Sequence, residues 1–135
     1  IPESWDGMSL IPWLVGDRPS SCRTHVFSEI DLANPIEPTR YQRQLGLEIT
    51  TANLAVLRTA RCKLVHFNGG LPPLLFDLAN DPGELVNRAN DPDYANELLN
   101  MIVRMLDHRM SHADQTLSRM AVTSEGVKSA PPRKR

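Results

Sequence analysis

Apolar and polar residues change rhythm along this chain, and the changes mark its elements. Thr24-His25-Val26-Phe27-Ser28-Glu29-Ile30 alternates imperfectly and predicts a strand. Leu54-Ala55-Val56-Leu57-Arg58-Thr59 and Lys63-Leu64-Val65-His66-Phe67 are two more strand-length runs, joined by Ala60-Arg61-Cys62. Asn68-Gly69-Gly70 follows, and Asn and Gly accept the positive φ that a tight turn requires. Pro72-Pro73 cannot donate ladder hydrogen bonds and so belongs at the entry of the next strand, Leu74 to Leu78. The runs predict an antiparallel meander over about 54–60, 63–68 and 73–78, with 24–30 as a fourth strand.

The rhythm then turns helical. Asp91 suits an N-cap, Pro92 the first helical position, and Asp93 the positive end of the helix dipole. Tyr94, Leu98, Ile102, Met105 and Arg109 follow a 3.6 period, widened by Ala95, Leu99 and Leu106. The spacing predicts a helix over 92–109 that covers the sheet, with Leu98, Ile102 and Met105 buried against Leu64, Leu74 and Phe76. The fold class is therefore α+β: about four antiparallel strands packed against one long C-terminal amphipathic helix.

The connections are less regular. Residues 6–19 carry one or two apolar turns closed by Gly16 and Pro19. Asn34, Pro35 and Pro38 break up 31–39, and 40–53 leaves a short helix and a loop both open. Residues 80–90 form the corner between the last strand and the helix. There Pro82 fixes φ, Gly83 relieves strain, Glu84 to Asn87 makes a short helical turn, and Asp81 caps it. Residues 121–135 are expected to be a flexible polar and basic tail behind a subdomain over 1–120.

Composition narrows the classes. The 135 residues allow one domain, with 41% hydrophobic and 23% charged residues as in ordinary globular proteins. A net charge of -1 gives no electrostatic case for nucleic acid or an acidic membrane, and Arg133-Lys134-Arg135 is too short for a basic patch. No apolar run approaches the roughly 20 residues that span a bilayer. The chain opens at Ile1 without Met or a signal-like segment, and it reads as a piece cut from a longer protein. Cytoplasm is favoured over periplasm.

The candidate chemistry is sparse. Cys22 and Cys62 could pair if secreted, but buried free thiols are the preferred reading. His108 and His112 stand at the i, i+4 spacing that can chelate a metal, without a third ligand or an H-E-x-x-H context. His66 lies on a strand and reads as structural. Cys22 and His25 are poorly placed for a thiol–imidazole pair. Asp77, Asp81, Glu84, Asp91 and Asp93 lack the ligand comb of a calcium loop and read as turn and cap residues. No phosphate-binding glycine loop, G-x-S-x-G elbow or C-x-x-C pair occurs. No catalytic, cofactor-binding or metal residue is therefore assigned.

The order of the segments carries a resemblance. "DGMSLIPWLVGD" (6–17), "HVFSEID" (25–31), "AVLRTARCKLVHF" (55–67) and "PPLLFDLANDPGELVNRANDP" (72–92) resemble the C-terminal subdomain of sulfatases, in the branch of the phosphonate monoester hydrolases. The most specific stretch is L-F-D-L-x-x-D-P-x-E-x-x-N (75–87), and "RMSHADQTLSRM" (109–120) is similar to the same branch. The resemblance implies a bacterial-type enzyme of the alkaline phosphatase superfamily that hydrolyses sulfate, phosphate or phosphonate esters. It also implies a divalent metal and a formylglycine made from C-x-P-x-R or S-x-P-x-R. Neither cysteine stands in that motif, so the fragment is expected to be inactive, with its N-terminal catalytic domain as partner. A homo-oligomer is compatible with it. The alternative is an autonomous small α+β module that binds a ligand or partner.

Overall fold

The computed structural model describes residues 9–17, 23–112 and 120–129. They fall into two compact units, Arg23–Ser111 and the two ends of the chain. In the larger unit, β1 (His25–Asp31), β2 (Asn53–Thr59), β3 (Cys62–Phe67) and β4 (Leu74–Asp77) form one antiparallel sheet in sequential order. The expected meander and fourth strand are both present. Gly69 and Gly70, at φ of 96° and 81°, turn the chain between β3 and β4. A Cβ on Gly69 would lie 2.9 Å from Leu47 Cδ2 and 3.2 Å from the Thr51 carbonyl oxygen, so the position requires glycine for space as well as for φ.

Register sorts the strand residues into two faces, because neighbours along a strand point oppositely. On the first face, Phe27, Leu57, Leu64 and Leu75 form one cross-strand row, and Ala55 and Cys62 border it. α3 (Ala95–His112) covers this row with Met101 and Met105, and Phe27, Ala89, Tyr94 and Leu98 close its margins. Leu57, Leu64 and Leu75 are fully buried. The second face carries the rows Val26–Arg58–Lys63–Phe76, Ser28–Val56–Val65–Leu74 and Ile30–Leu54–Phe67.

Two expectations about this packing are corrected. Ile102 is 41% exposed, and Met101 takes the inward place at 1%. The helix starts with a 3-10 turn, Pro92–Tyr94, and Met101-Ile102-Val103 are consecutive apolar positions, so the pattern admits either Met101 or Ile102 between Leu98 and Met105. The inward line becomes Tyr94, Leu98, Met101 and Met105. Leu74 and Phe76 lie on the second face, and Leu75 meets the helix instead. Both faces of β4 are apolar, so alternation could not assign its parity.

The connections resolve the open stretches. α2 (Arg40–Leu45) starts with a Thr39–Gln42 capping box and stops at Gly46, which is left-handed at φ 64°. Gln42 is buried, and its Oε1 accepts from the Asn34 and Thr39 amides. In the chain ends, α1 (Ile11–Leu14) is the expected apolar turn, followed by Gly16 at φ 86°. The stretch read as a tail holds a hairpin, β5 (Met120–Thr123) with β6 (Gly126–Ser129). No helix among the described residues is long and apolar enough to cross a membrane.

The two helix positions give a direct test. Met101→Asp strands a charge in the core and should lower stability by about 3 kcal/mol or more, whereas Ile102→Asp should stay within about 1 kcal/mol. Urea unfolding of both variants checks this; equal losses would contradict the observed phase.

Candidate functional site

A buried polar cluster lies where β4 turns into the corner. Asp77 is buried at the end of β4, on the face that α3 covers. Its Oδ1 accepts from the Ala79 amide (3.1 Å) and the Asn80 amide (3.3 Å). Its Oδ2 accepts from Asn80 Nδ2 (2.8 Å) and the Tyr94 hydroxyl (2.8 Å). These donors, Asn80 first and Tyr94 next, hold the carboxyl below its ordinary value of 3.8, because each bond favours the anion. The same bond raises the Tyr94 phenol, which therefore remains a donor at neutral pH. One carboxylate thus ties the strand, the corner and the helix entry together.

Cys62 faces Asp77 across the β3–β4 ladder. Burial first, and then the Glu97 carboxylate, raise its thiol to about 11. A nucleophile or metal ligand needs the thiolate, and this thiol stays protonated at neutral pH. Cys62 is a free thiol, as expected; Cys22 lies outside the described residues.

The acidic corner is held by its own backbone. Asp81 Oδ2 accepts from the Val86 amide at 2.9 Å, which closes the corner but caps no helical turn. The expected helical turn over 84–87 does not form, because Glu84 sits left-handed at φ 56°. The positive φ falls there and not at Gly83, and the Glu84 side chain ion-pairs with Lys63 and, at 3.7 Å, with Arg58. Asn87 Oδ1 accepts from the Leu75 amide at 2.9 Å, and the Arg88 amide donates to the Leu75 carbonyl at 2.7 Å. The free edge of β4 is thereby stitched to the corner. Asp91 accepts from the Asp93 amide and pairs with Arg88, which also lies over the Tyr94 ring.

Two of the histidines meet. His25 Nε2 and His108 Nδ1 lie 3.3 Å apart, and the His108 ring packs on Phe27 with centroids 4.3 Å apart. This contact between β1 and α3 was not foreseen, since the two residues are 83 positions apart. His66 is exposed on the sheet and faces Ala55 across the ladder. Among the described residues, no group of three or more His, Cys, Asp or Glu side chains is placed to hold a metal ion. A hollow of about 690 Å³ near the β2–β3 turn is lined by Arg61, Glu97 and Arg104, with hydroxyls from Thr24 and Thr59. The Thr59 hydroxyl is already engaged by the Arg61 and Cys62 amides. The arrangement joins strand, corner and helix.

No family model matches the chain. It is 36% identical over 126 residues to the multifunctional alkaline phosphatase superfamily protein PehA of Trinickia caryophylli, covering 93% of this chain and 24% of PehA. The solved phosphonate monoester hydrolase SpPMH of Silicibacter pomeroyi matches with a TM-score of 0.78 at 42% identity, over 96% of this chain and 26% of that one. A putative sulfatase of Bacteroides thetaiotaomicron matches with a TM-score of 0.67 at 25% identity, over 97% and 24% respectively. The chain thus spans about a quarter of the relatives it matches.

Two outcomes test the cluster. Asp77's contribution to stability is full above the unfolded carboxyl value and lost as pH falls through the lower folded one. Asp77→Asn should therefore melt below the parent at pH 7, with the gap closing below about pH 4; a gap independent of pH would contradict the assignment. Native protein treated with a thiol reagent should stay unmodified at Cys62 until denaturant is added, as peptide mapping would read.

Proposed function

We infer that this chain, which belongs by homology to the alkaline phosphatase superfamily, is the C-terminal structural subdomain of an ester hydrolase of the sulfatase and phosphonate monoester hydrolase type. The intact protein would hydrolyse sulfate, phosphate or phosphonate esters. The observation that carries the reading is the coverage. Nearly the whole chain matches, in fold and in sequence, about a quarter of proteins named as phosphatase-superfamily, phosphonate-ester and sulfatase hydrolases.

The chain's own groups do not fit the chemistry such an enzyme requires. Cys62 is followed by Lys63-Leu64-Val65-His66 and not by x-Pro-x-Arg, and its thiol is buried and protonated. The carboxylates of the corner, on Asp77, Asp81, Glu84 and Asp91, are engaged by amides, a phenol and ammonium or guanidinium groups. The divalent metal and the formylglycine are therefore assigned to the remainder of the enzyme, and no catalytic step is routed through this chain. Its task is to present a rigid sheet and corner to that remainder.

The purified 135-residue chain should hydrolyse no aryl sulfate, phosphate diester or phosphonate monoester with any divalent metal added. Metal-dependent turnover by the chain alone would overturn the reading. So would a reading frame without C-x-P-x-R or S-x-P-x-R upstream of Ile1.

A further inference from the structure

We propose that Asn68 is a site of spontaneous covalent modification, where the carboxamide loses ammonia and the backbone is rebuilt through isoaspartate. The co-reactant is water. Asn68-Gly69 is the only Asn-Gly pair in the sequence, and it forms the turn between β3 and β4. Both residues are exposed, so water reaches the pair. The reaction needs the amide nitrogen that follows the asparagine to lie against its side chain and to be free of backbone partners. Gly69 meets both needs. Its amide donates to Asn68 Oδ1 at 3.1 Å and, among the described residues, to no main-chain carbonyl. Glycine also carries no Cβ to shield that nitrogen.

Other asparagines lack this freedom. The amide after Asn80 is held by the Asp77 carbonyl at 2.7 Å, the one after Asn87 by the Leu75 carbonyl at 2.7 Å, and the one after Asn90 by the Arg88 carbonyl at 3.0 Å. Asn100 lies inside α3, where the following amide serves the helix. The turn thus selects Asn68 by its backbone as well as by its neighbour.

In the reaction the Gly69 nitrogen gives up its proton, and its electron pair forms a bond to Asn68 Cγ. The Cγ–Nδ2 bond breaks, and that nitrogen takes up a proton and leaves as ammonia. Water then opens the cyclic imide at either carbonyl. One opening gives aspartate; the other gives isoaspartate, whose main chain runs through the former side chain. Nothing is oxidised or reduced.

The product disturbs a close contact. A Cβ on Gly69 would already stand 3.2 Å from the Thr51 Cβ and carbonyl oxygen, and isoaspartate lengthens the main chain beside this point by one carbon. Either product also removes the Asn68 Nδ2 donor, which lies 3.5 Å from the Thr50 carbonyl, and leaves a carboxylate instead. The 47–52 loop that leads into β2 should therefore loosen.

Ageing the full-length protein in mildly alkaline buffer, followed by peptide mapping and enzymatic isoaspartyl methylation, tests the assignment. Asn68 should convert at least as fast as in a free peptide spanning 63–73, with isoaspartate as the larger product, while Asn80, Asn87 and Asn90 keep their amides. Hydrogen exchange over 47–52 should rise in the aged protein. Asn68→Gln, whose longer side chain closes the ring poorly, should show no such rise after the same treatment. Conversion slower than in the peptide by roughly tenfold or more would mean that the turn protects Asn68, and would overturn the proposal. So would conversion at Asn80 or Asn87 ahead of Asn68, or unchanged exchange over 47–52 once Asn68 has converted.

Discussion

The structure depends on one row of side chains. Phe27, Leu57, Leu64 and Leu75 each come from a different strand, and they meet Met101 and Met105 of a single helix. Removing any strand would open the row, because its neighbours have no other apolar layer on that side. Burying a leucine fully contributes roughly 1.5–3 kcal/mol, so the three closed leucines dominate what holds the sheet to the helix. The polar features are arranged around this row. Asp77 lies one step beyond Leu75 on the same face, where it anchors the corner and the Tyr94 hydroxyl.

That placement explains why the acidic corner looks richer in chemistry than it is. A carboxylate at the edge of an apolar layer needs donors, and the corner supplies them from Ala79, Asn80 and Tyr94. Asp81, Asn87 and Asp91 likewise close amides that a chain turning from strand to helix would otherwise leave unpaired. The acidic corner is thus a set of backbone staples.

Much of this was legible in the sequence. The four strands, the glycine turn and the Asp91-Pro92 start rest on local chemistry, and the structure has all of them. What failed was phase. β4 is apolar on both faces, and α3 carries apolar residues at nearly every position from Leu98 to Leu106, so neither parity nor periodicity could select the inward set. The left-handed Glu84 was hidden because its conformation coincides with tertiary ion pairs to Lys63 and Arg58, which no local pattern records. The His25–His108 contact was beyond reach for the same reason.

Native-state hydrogen exchange on the 135-residue chain tests the central claim, that the leucine row is the foundation on which the sheet and the helix depend. The amides of Leu57 and Leu64 should be among the slowest to exchange and should open only with global unfolding, while the α2 amides exchange by local opening. Exchange at Leu57 and Leu64 as fast as in α2 would contradict it, since the row would then not be what holds the sheet and helix together.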